Sequence, residues 1–213
     1  IRDAQNGVFI QEYDRCTIKE NIITRNYRGI LIYGYYNSLA SNHTIRDNNI
    51  TDNDNTGIYL GGHGAYCSVY DNVMTKNDAN GITVYHGSEH NIIENNLFHH
   101  NGNNGIYMVG SGYSTVTNNE VYDNDIYGIH SLYSYNNKLR NNTMYGNQYN
   151  FRIVGDEPIL EEYNHDIDTS NLIEGKPMYY WIGEENKDVP SNAGFVGLIN
   201  CNNILVFGMN VTD

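Results

Sequence analysis

Residues 93–108 read IENNLFHHNGNNGIYM, and this stretch contains the pattern that decides the fold. Its template is apolar-x-x-Asn-x-apolar-x-x-Asn, followed shortly by Gly-apolar-x-apolar, and six successive segments of the chain fit it. The first asparagine recurs at intervals of 27, 24, 24, 23 and 23 residues, and the second keeps the same intervals. The two sets are Asn21, Asn48, Asn72, Asn96, Asn119, Asn142 and Asn26, Asn53, Asn77, Asn101, Asn124, Asn147. A fixed period of this length indicates a repeat architecture.

Each repeat is too short to bury its own apolar face. Apolar residues two positions apart point to the same side of a strand, so each repeat contains short strands separated by bends. Stacking the repeats, with parallel strands about 4.8 Å apart, buries the aliphatic side chains in one continuous interior. The sequence therefore predicts an all-β fold, a single right-handed parallel β-helix of about eight or nine coils, its hand following the rule for parallel crossovers.

The recurring asparagines and glycines have separate roles in such a coil. An asparagine turned inward at a bend can bond to the asparagines of the coils above and below, which predicts Asn ladders along the helix. We expect the glycine of the Gly-apolar-x-apolar segment to need a positive φ at another corner. Asn150 takes this position in the sixth repeat, and asparagine is the usual substitute for glycine at positive φ.

The composition excludes several classes of function. The 213 residues include 12 Lys and Arg against 25 Asp and Glu, and the formal net charge is -13 at pH 7. Phosphate backbones and anionic lipids repel such a chain, so binding to nucleic acid or to a membrane surface is not expected. No apolar run approaches the roughly 18 residues that cross a bilayer, so membrane insertion is not expected either.

The repeat register divides the chain into three parts. Residues 1–154 form regular coils, residues 155–192 break the register with all three prolines and the one tryptophan, and residues 193–213 resume it. We interpret the middle part as an enlarged coil or loop insertion within one continuous domain. The first residue is Ile1, which suggests a domain excised from a longer chain, with neighbouring repeats or domains as partners.

The repeats resemble those of the NosD-like right-handed β-helix family, also grouped as the carbohydrate-binding and sugar-hydrolase (CASH) repeat domain. Two further stretches carry the resemblance: HDIDTSNLIEGKPMYYWIG at residues 165–183 and AGFVGLINCNNILVFGMNVT at residues 193–212. They are similar to the C-terminal coils of surface proteins of methanogenic archaea. The resemblance implies an extracellular or cell-surface location and contact with polysaccharide or cell-envelope glycan.

One outward column of the aligned repeats is a candidate for sugar binding. The position between the two apolar residues of the Gly-apolar-x-apolar strand includes Tyr59, Tyr107, His130 and Arg152, with Tyr85 nearby. Tyr59 and Tyr107 stand two coils apart, roughly 10 Å by strand spacing, which suits two sugar rings of an extended chain. The competing explanation is that tyrosine is simply a good exposed strand residue.

A column of acidic residues is a candidate for calcium or for catalysis. Glu20, Asp47 and Asp71 stack at strand spacing, so either a calcium ion lies between them or basic neighbours such as Arg46 neutralise them. A lyase needs such acids beside a Lys or Arg. The catalytic candidates are Asp47, Asp71 and Arg46, together with two acids of the middle part, Asp166 and Asp168.

Several other motifs are weaker. A loose copper or zinc site would combine His99 and His100 with His86 or His90. Cys16 and Cys67 lie two coils apart, roughly 9 to 10 Å, which predicts free thiols. Four N-x-T sequons allow glycosylation, although the repeat consensus produces the same tripeptide: Asn42, Asn49, Asn141 and Asn210.

These observations favour a secreted or cell-surface repeat module that binds polysaccharide or serves as a structural spacer in an envelope protein, without catalysis of its own. It requires no cofactor, and calcium is a possible ion. The alternative is a polysaccharide lyase or glycoside hydrolase acting on acidic glycans. An enzyme needs acids that converge in a groove, whereas a binding or structural module leaves them dispersed.

Overall fold

Each repeat forms one coil of three short strands in the computed structural model, which describes residues 1–34, 40–156 and 159–209. The strands of six complete coils are β1 (Asn6–Gln11), β2 (Thr17–Lys19), β3 (Ile22–Thr24), β4 (Arg28–Tyr33), β5 (Thr44–Arg46), β6 (Asn49–Thr51), β7 (Ile58–Gly61), β8 (Ser68–Tyr70), β9 (Val73–Thr75), β10 (Ile82–Tyr85), β11 (Ile92–Glu94), β12 (Leu97–His99), β13 (Asn104–Val109), β14 (Thr115–Thr117), β15 (Glu120–Tyr122), β16 (Tyr127–Leu132), β17 (Lys138–Arg140) and β18 (Thr143–Tyr145).

The remaining elements are β19 (Tyr149–Val154), a 3-10 helix (Leu160–Tyr163), β20 (Asp166–Ile167), β21 (Leu172–Ile173), β22 (Lys176–Ile182), β23 (Glu185–Val189), β24 (Phe195–Ile199) and β25 (Asn202–Val206). Strands β19, β20 and β21 add one strand to each of the three sheets. Strand β22 then pairs antiparallel with β21, β24 pairs with β22, and β23 pairs with β25. The segment interpreted as an enlarged coil thus contains the 3-10 helix and four strands that continue the sheets or pair with later strands.

Three sheets, parallel from the first coil through β21, run along the helix axis, because equivalent strands of successive coils pair with one another. The first sheet has the order β1-β4-β7-β10-β13-β16-β19, the second β2-β5-β8-β11-β14-β17-β20, and the third follows β3 through β21 to β24. The predicted all-β, right-handed parallel β-helix is confirmed. The count of eight or nine coils was too high: about six coils are regular, since strands after β21 pair outside the three-strand pattern.

The interior is a continuous stack of aliphatic side chains. Ile45, Val69, Ile93 and Val116 are fully buried on successive strands of the second sheet, and Phe98 is the largest fully buried side chain. Burial of one such side chain contributes about 1.5–3 kcal/mol. Because every coil adds equivalent residues, the stabilising area grows with each repeat.

Two Asn ladders supply hydrogen-bond partners to the backbone groups at the bends, as the sequence predicts. The amide nitrogen of Asn48 donates to Asn72 Oδ1 at 2.9 Å and to the carbonyl of Ile18 at 3.0 Å, while the backbone N–H of Asn48 also donates to Asn72 Oδ1 at 3.0 Å. The equivalent bonds recur from coil to coil, for example between Asn101 and Asn124 at 2.9 Å. Each buried asparagine thereby satisfies backbone groups that a bend leaves without a partner.

A third ladder of mixed residue types lies before the second sheet, and the repeat pattern did not reveal it. In each coil the backbone N–H donates to the side chain of the next coil, as from Cys16 to His43 Nδ1 at 3.2 Å and from Cys67 to Asn91 Oδ1 at 2.9 Å. The members in order are Cys16, His43, Cys67, Asn91, Ser114, Asn137 and His165. Several residue types accept this bond, so the column shows no consensus in the sequence.

The expected positive φ of the recurring glycines is wrong. Gly29, Gly57, Gly81, Gly105 and Gly128 do not lie among the residues of positive φ. These positions need glycine because the next coil approaches too closely: a Cβ on Gly29 would lie 2.4 Å from the carbonyl oxygen of Gly57. Asn150 takes the equivalent position for another reason, since its side chain accepts from Asn147 and donates to Glu174.

Candidate functional site

The outward surface of the first sheet carries the candidate sugar-binding row. Strand pairing aligns Phe9, Leu31, Tyr59, Thr83, Tyr107, His130 and Arg152 on seven consecutive strands. Their side chains point away from the core because they alternate with buried aliphatic residues such as Ile106 and Met108. The row predicted from the repeat alignment is therefore one row in space, and Tyr59 and Tyr107 stand two strands apart.

The charge of this surface differs from that of the whole chain. The seven described strands of the first sheet contain no Asp or Glu, whereas they contain Arg28 and Arg152. Neither arginine forms an ion pair with any described carboxylate, although other basic residues do, such as Arg25 with Asp3 at 3.5 Å. A cationic surface within a chain of net charge -13 selects an anionic or neutral ligand.

Aromatic rings and a guanidinium group meet at the C-terminal end of the row. The His130 ring lies 5.1 Å from the Tyr107 ring and 4.7 Å from the Tyr127 ring. Arg152 donates a hydrogen bond to the Tyr127 hydroxyl, and its guanidinium carbon lies 5.3 Å from the centre of that ring. Tyr149 continues the aromatic surface at 5.3 Å from Tyr127. We call Asn104, Tyr107, Tyr127, His130 and Arg152 the C-terminal subsite.

Buried polar atoms without partners concentrate on this same sheet. In the described part of the chain, six buried side-chain nitrogen or oxygen atoms have no hydrogen-bond partner in the protein. Four of them belong to strands of the first sheet: Asn6 Oδ1, Arg28 Nε, Asn104 Oδ1 and His130 Nε2. Asn104 is only 7% exposed, and its amide nitrogen already donates to Asn80 Oδ1 at 2.7 Å. Leaving such an atom without any partner costs about 1–3 kcal/mol, so each of them calls for a partner from outside the protein, such as a water, an ion or a ligand.

Burial also sets the protonation states along the row. It lowers the pKa of His130 to about 4, with a further contribution from the Arg152 charge, so the imidazole is uncharged at neutral pH. Burial raises the pKa of Tyr59 to about 12 and that of Tyr107 in the same direction. The C-terminal subsite therefore presents the neutral imidazole of His130, the protonated phenol of Tyr107 and the permanent cation of Arg152.

Tyr59 and Tyr85 form the aromatic part of the row towards the N-terminus. Their ring centres are 5.9 Å apart, and Tyr85 also contacts His86 edge-on at 4.2 Å. Thr83, on the strand between Tyr59 and Tyr107, is 4% exposed and accepts a bond from Asn80 at 2.9 Å.

The acidic column occupies bends rather than a groove. Glu20, Asp47 and Asp71 have φ values of 57°, 55° and 55°, as do the asparagines at the equivalent positions of later coils. Asp and Asn tolerate this left-handed backbone better than most residues, which accounts for Asp47, Asp71 and the later asparagines without an ion, although not for Glu20. Glu20 pairs with Lys19 at 3.3 Å and Asp47 pairs with Arg46. Basic neighbours therefore neutralise two of the three acids, as the alternative to calcium expects.

The acids of the middle part have a basic partner of their own. Arg140 on β17 pairs with Asp166 and, at 2.9 Å through Nε, with Asp168. Within residues 1–34, 40–156 and 159–209, no group of three or more His, Cys, Asp or Glu side chains is arranged to hold a metal ion.

The histidines of the weaker metal prediction are separated. His90 is stacked between Tyr66 at 4.8 Å and Tyr113 at 5.1 Å, at the bend before the second sheet. His99, on the third sheet, is stacked on Tyr122 at 4.9 Å and lies with its Nδ1 2.9 Å from that of His100. His86 contacts Tyr85, as described above. The combination of His86 or His90 with the His99–His100 pair is therefore wrong.

The structure describes all three cysteines and three of the four sequon asparagines. Cys16, Cys67 and Cys201 are free, in agreement with the predicted free thiols. Asn42, Asn49 and Asn141 are exposed, whereas Asn210 lies outside the described residues.

The repeat alignment missed Asn104, Tyr127 and Arg28. They occupy one further outward column, just before the recurring glycine: strand pairing aligns Asn104 with Tyr127 and Tyr127 with Tyr149. The signal was present in the sequence, because this column holds Arg28, Asn104, Tyr127 and Tyr149 among its members.

The family described as a right handed beta helix region matches residues 1–164. The chain belongs to the right-handed β-helix family. No curated protein matches it. In the described part of this β-helix chain, none of the helices has the length and apolar character required to traverse a bilayer.

Several solved β-helix structures are similar to the chain. A double mutant of the periplasmic alginate epimerase AlgG has a TM-score of 0.63 at 18% identity, with 100% of this chain and 49% of that one covered. The Azotobacter vinelandii mannuronan C-5 epimerase AlgE6 A-module has a TM-score of 0.60 at 15% identity, with coverage of 94% and 58%. The complex of XylC with xylose has a TM-score of 0.55 at 13% identity, with coverage of 87% and 31%. The chain spans about half the length of the first two structures, and these likenesses show the fold alone.

Proposed function

We propose that this β-helix binds an extended acidic polysaccharide along the outward surface of its first sheet. The observation that carries the proposal is the C-terminal subsite, where Asn104 Oδ1 and His130 Nε2 lack protein partners beside the Tyr107 and Tyr127 rings. A sugar supplies both hydroxyl groups for such atoms and an apolar ring face for tyrosine.

The acidic character of the ligand follows from the charges. Arg152 is the permanent cation of the subsite, and the strands of the sheet carry no carboxylate that would compete for it. A guanidinium group binds a carboxylate through two parallel hydrogen bonds, which makes a uronic acid the best-fitting sugar. One sugar unit of an extended chain is about as long as the strand spacing of about 4.8 Å, so successive sugars can contact successive coils.

The comparisons support this class of ligand. The similar structures include proteins named as an alginate epimerase and a mannuronan C-5 epimerase. We place the chain outside the cell or at its surface, where such polysaccharides occur, with neighbouring domains of a longer protein as partners. Within the family we assign it to the NosD-like, CASH-type repeats of archaeal surface proteins, on the strength of residues 165–183.

The test is titration calorimetry of the protein with a polyuronate and with a neutral glucan, each with calcium and with chelator. Tyr107→Ala and Arg152→Gln are the test variants, and Tyr13→Ala is the control, since Tyr13 is 73% exposed and lies off the sheet. We expect binding of the polyuronate, a loss of about fivefold or more in affinity for each test variant, and no change for the control. Equal affinity of all three variants for the polyuronate would refute the proposed site. Binding that requires calcium would instead support an ion site at the acidic column.

A second candidate function is proton abstraction from the same uronate, as in a lyase or an epimerase. The specific observation is the uncharged His130, with its free Nε2, beside Arg152 and Tyr107. Arg152 would neutralise the sugar carboxylate and thereby acidify the C5 hydrogen, and His130 would accept that proton. In elimination the electron pair forms a C4–C5 double bond while the C4–O bond breaks, and Tyr107 donates a proton to the leaving oxygen. The strands of the sheet offer no carboxylate pair for glycoside hydrolysis.

Incubation of a polyuronate in deuterated water separates the two candidates. Catalysis predicts either deuterium at C5 or an unsaturated, ultraviolet-absorbing product. His130→Gln abolishes both, whereas it only weakens binding, because glutamine still offers a hydrogen-bond acceptor but cannot take up the C5 proton. An unaltered polymer that nevertheless binds supports the binding module. A polymer that neither binds nor changes would leave the chain as a structural spacer.

A further inference from the structure

Arg28, on β4, is arranged like Arg152 although it lies near the other end of the sheet. Its guanidinium carbon lies 5.0 Å from the centre of the Tyr27 ring and 5.3 Å from that of Tyr59. Its Nε atom is buried and has no hydrogen-bond partner in the protein, and no described carboxylate forms an ion pair with it. A guanidinium group stacked on rings and lacking an anion is preorganised to bind one.

A second atom without a partner stands next to it. Asn6, on β1, is the strand-pairing partner of Arg28, and Asn6 Oδ1 is buried without a hydrogen-bond partner. The pair therefore offers a donor for a carboxylate and an acceptor for a hydroxyl group, beside the ring of Tyr59. A uronic acid carries both groups.

We infer that Asn6, Tyr27, Arg28 and Tyr59 form a second uronate-binding subsite, the N-terminal subsite, for the same polysaccharide chain. The inference rests on the proposed function and adds the length and the charge pattern of its ligand. It places a second anchoring point for the polysaccharide near the N-terminal end of the first sheet.

The distance between the subsites sets the ligand length. Strands β4 and β19, which carry the two arginines, are five strand spacings apart in the sheet order, about 24 Å. Both guanidinium groups lean inward, Arg28 onto Tyr59 of β7 and Arg152 onto Tyr127 of β16, and those strands are three spacings apart, about 14 Å. With one sugar to each coil, a chain of about four to six uronates reaches both subsites, whereas a dimer reaches one.

A length series of oligouronates, from dimer to octamer, tests the inference by calorimetry on the full chain. We expect a steep rise in wild-type affinity between the dimer and the hexamer, because the second contact becomes intramolecular. Arg28→Gln removes that rise, so that the hexamer binds about tenfold more weakly, while the dimer keeps its affinity for the C-terminal subsite and loses only its second binding event. Arg25→Gln is the matched control, because Arg25 lies three residues away and pairs with Asp3.

The outcomes separate this inference from the proposed function. If Arg152→Gln weakens binding but Arg28→Gln leaves the hexamer at wild-type affinity, the N-terminal subsite is refuted and the proposed function stands. If no oligouronate binds to the wild type, the proposed function itself fails. Equal thermal unfolding temperatures of the two Gln variants and the wild type show that lost binding is not lost folding.

Discussion

The His130 ring lies 5.1 Å from the Tyr107 ring, one strand away in the same outward row and tilted by 32°. Burial, with a further contribution from the nearby Arg152 charge, lowers the pKa of His130 to about 4 and keeps the imidazole uncharged at neutral pH. The residue is thus available as a hydrogen-bond acceptor in a surface that otherwise offers phenols and a cation. The position of the His130 ring is well defined, because Tyr107 and Arg152 lie on the two adjacent strands and strand pairing fixes their register with His130.

Stability should depend on pH through the buried histidines. Burial lowers the pKa of His165 and of His130 to about 4. Below pH 6.5 these histidines become protonated in the unfolded chain but stay neutral in the folded chain. The free energy of unfolding therefore falls as the pH drops from 6.5 to about 4. For His165 the upper bound is about 3 kcal/mol. Urea unfolding between pH 7.5 and 4.5 measures this loss.

His165→Asn provides the matched control for that experiment. His165 Nδ1 accepts the backbone N–H of Asn137 at 3.3 Å in the third ladder, and asparagine accepts the equivalent bond in other coils. The variant should therefore fold and show a shallower dependence on pH. An identical dependence in both proteins would exclude His165 as the source.

Loss of one ladder asparagine should be costly. Asn101 donates to the carbonyl of Met74 at 3.1 Å and to Asn124 at 2.9 Å, and it accepts from the backbone and side chain of Asn77. Asn101→Ala leaves several buried groups without partners, so we expect a loss of about 2–4 kcal/mol in the free energy of unfolding. Asn49→Ala, at an exposed strand position, should stay within about 0.5 kcal/mol. Similar losses of unfolding free energy in both variants would show that the ladder hydrogen bonds do not stabilise the fold.

Replacement of a corner glycine should be destabilising for steric reasons. A Cβ on Gly105 would lie 2.4 Å from Val121 Cγ1 and 2.9 Å from the carbonyl oxygen of Gly128. We expect Gly105→Ala to lower the free energy of unfolding by about 1–3 kcal/mol, because the neighbouring coil has to move. Urea denaturation checks the value against the Asn49→Ala control. An unchanged midpoint would mean that the coils can separate without cost.

The three thiols should differ in reactivity. Cys67 is fully buried, and burial raises the pKa of its thiol to about 12, whereas Cys16 and Cys201 are half-buried. Because the thiolate is the reactive form, iodoacetamide should modify Cys16 and Cys201 in the folded protein and Cys67 only in urea. Peptide mass spectrometry reads the three sites separately. Rapid modification of Cys67 under native conditions, or a Cys16–Cys67 bridge, would contradict the register of the coils.

The repeat period carried enough information to predict the fold, the two Asn ladders and the outward row. Each of these depends on residues at equivalent positions of successive coils, and strand pairing such as Tyr107 with His130 follows directly from that alignment. The glycine column was located correctly but explained wrongly, because a sequence shows which residue is needed and not whether φ or a close approach demands it. The same limit applies to the acidic column, where a left-handed bend accounts for residues that also resembled calcium ligands.

The amino-acid sequence by itself determined the architecture, since short apolar repeats bury their faces only by stacking. Only the tertiary structure decided which buried polar atoms lack a hydrogen-bond partner and which residues the ends of the long side chains contact. Arg28 reaches from its own coil onto Tyr59 of the next, and Arg152 reaches back onto Tyr127. Neither contact can be predicted from the repeat period, because each contact depends on the side-chain rotamer of the arginine and on packing between neighbouring columns. The candidate site therefore became visible in three dimensions, where the unpartnered atoms of Asn104 and His130 lie beside the tyrosine rings.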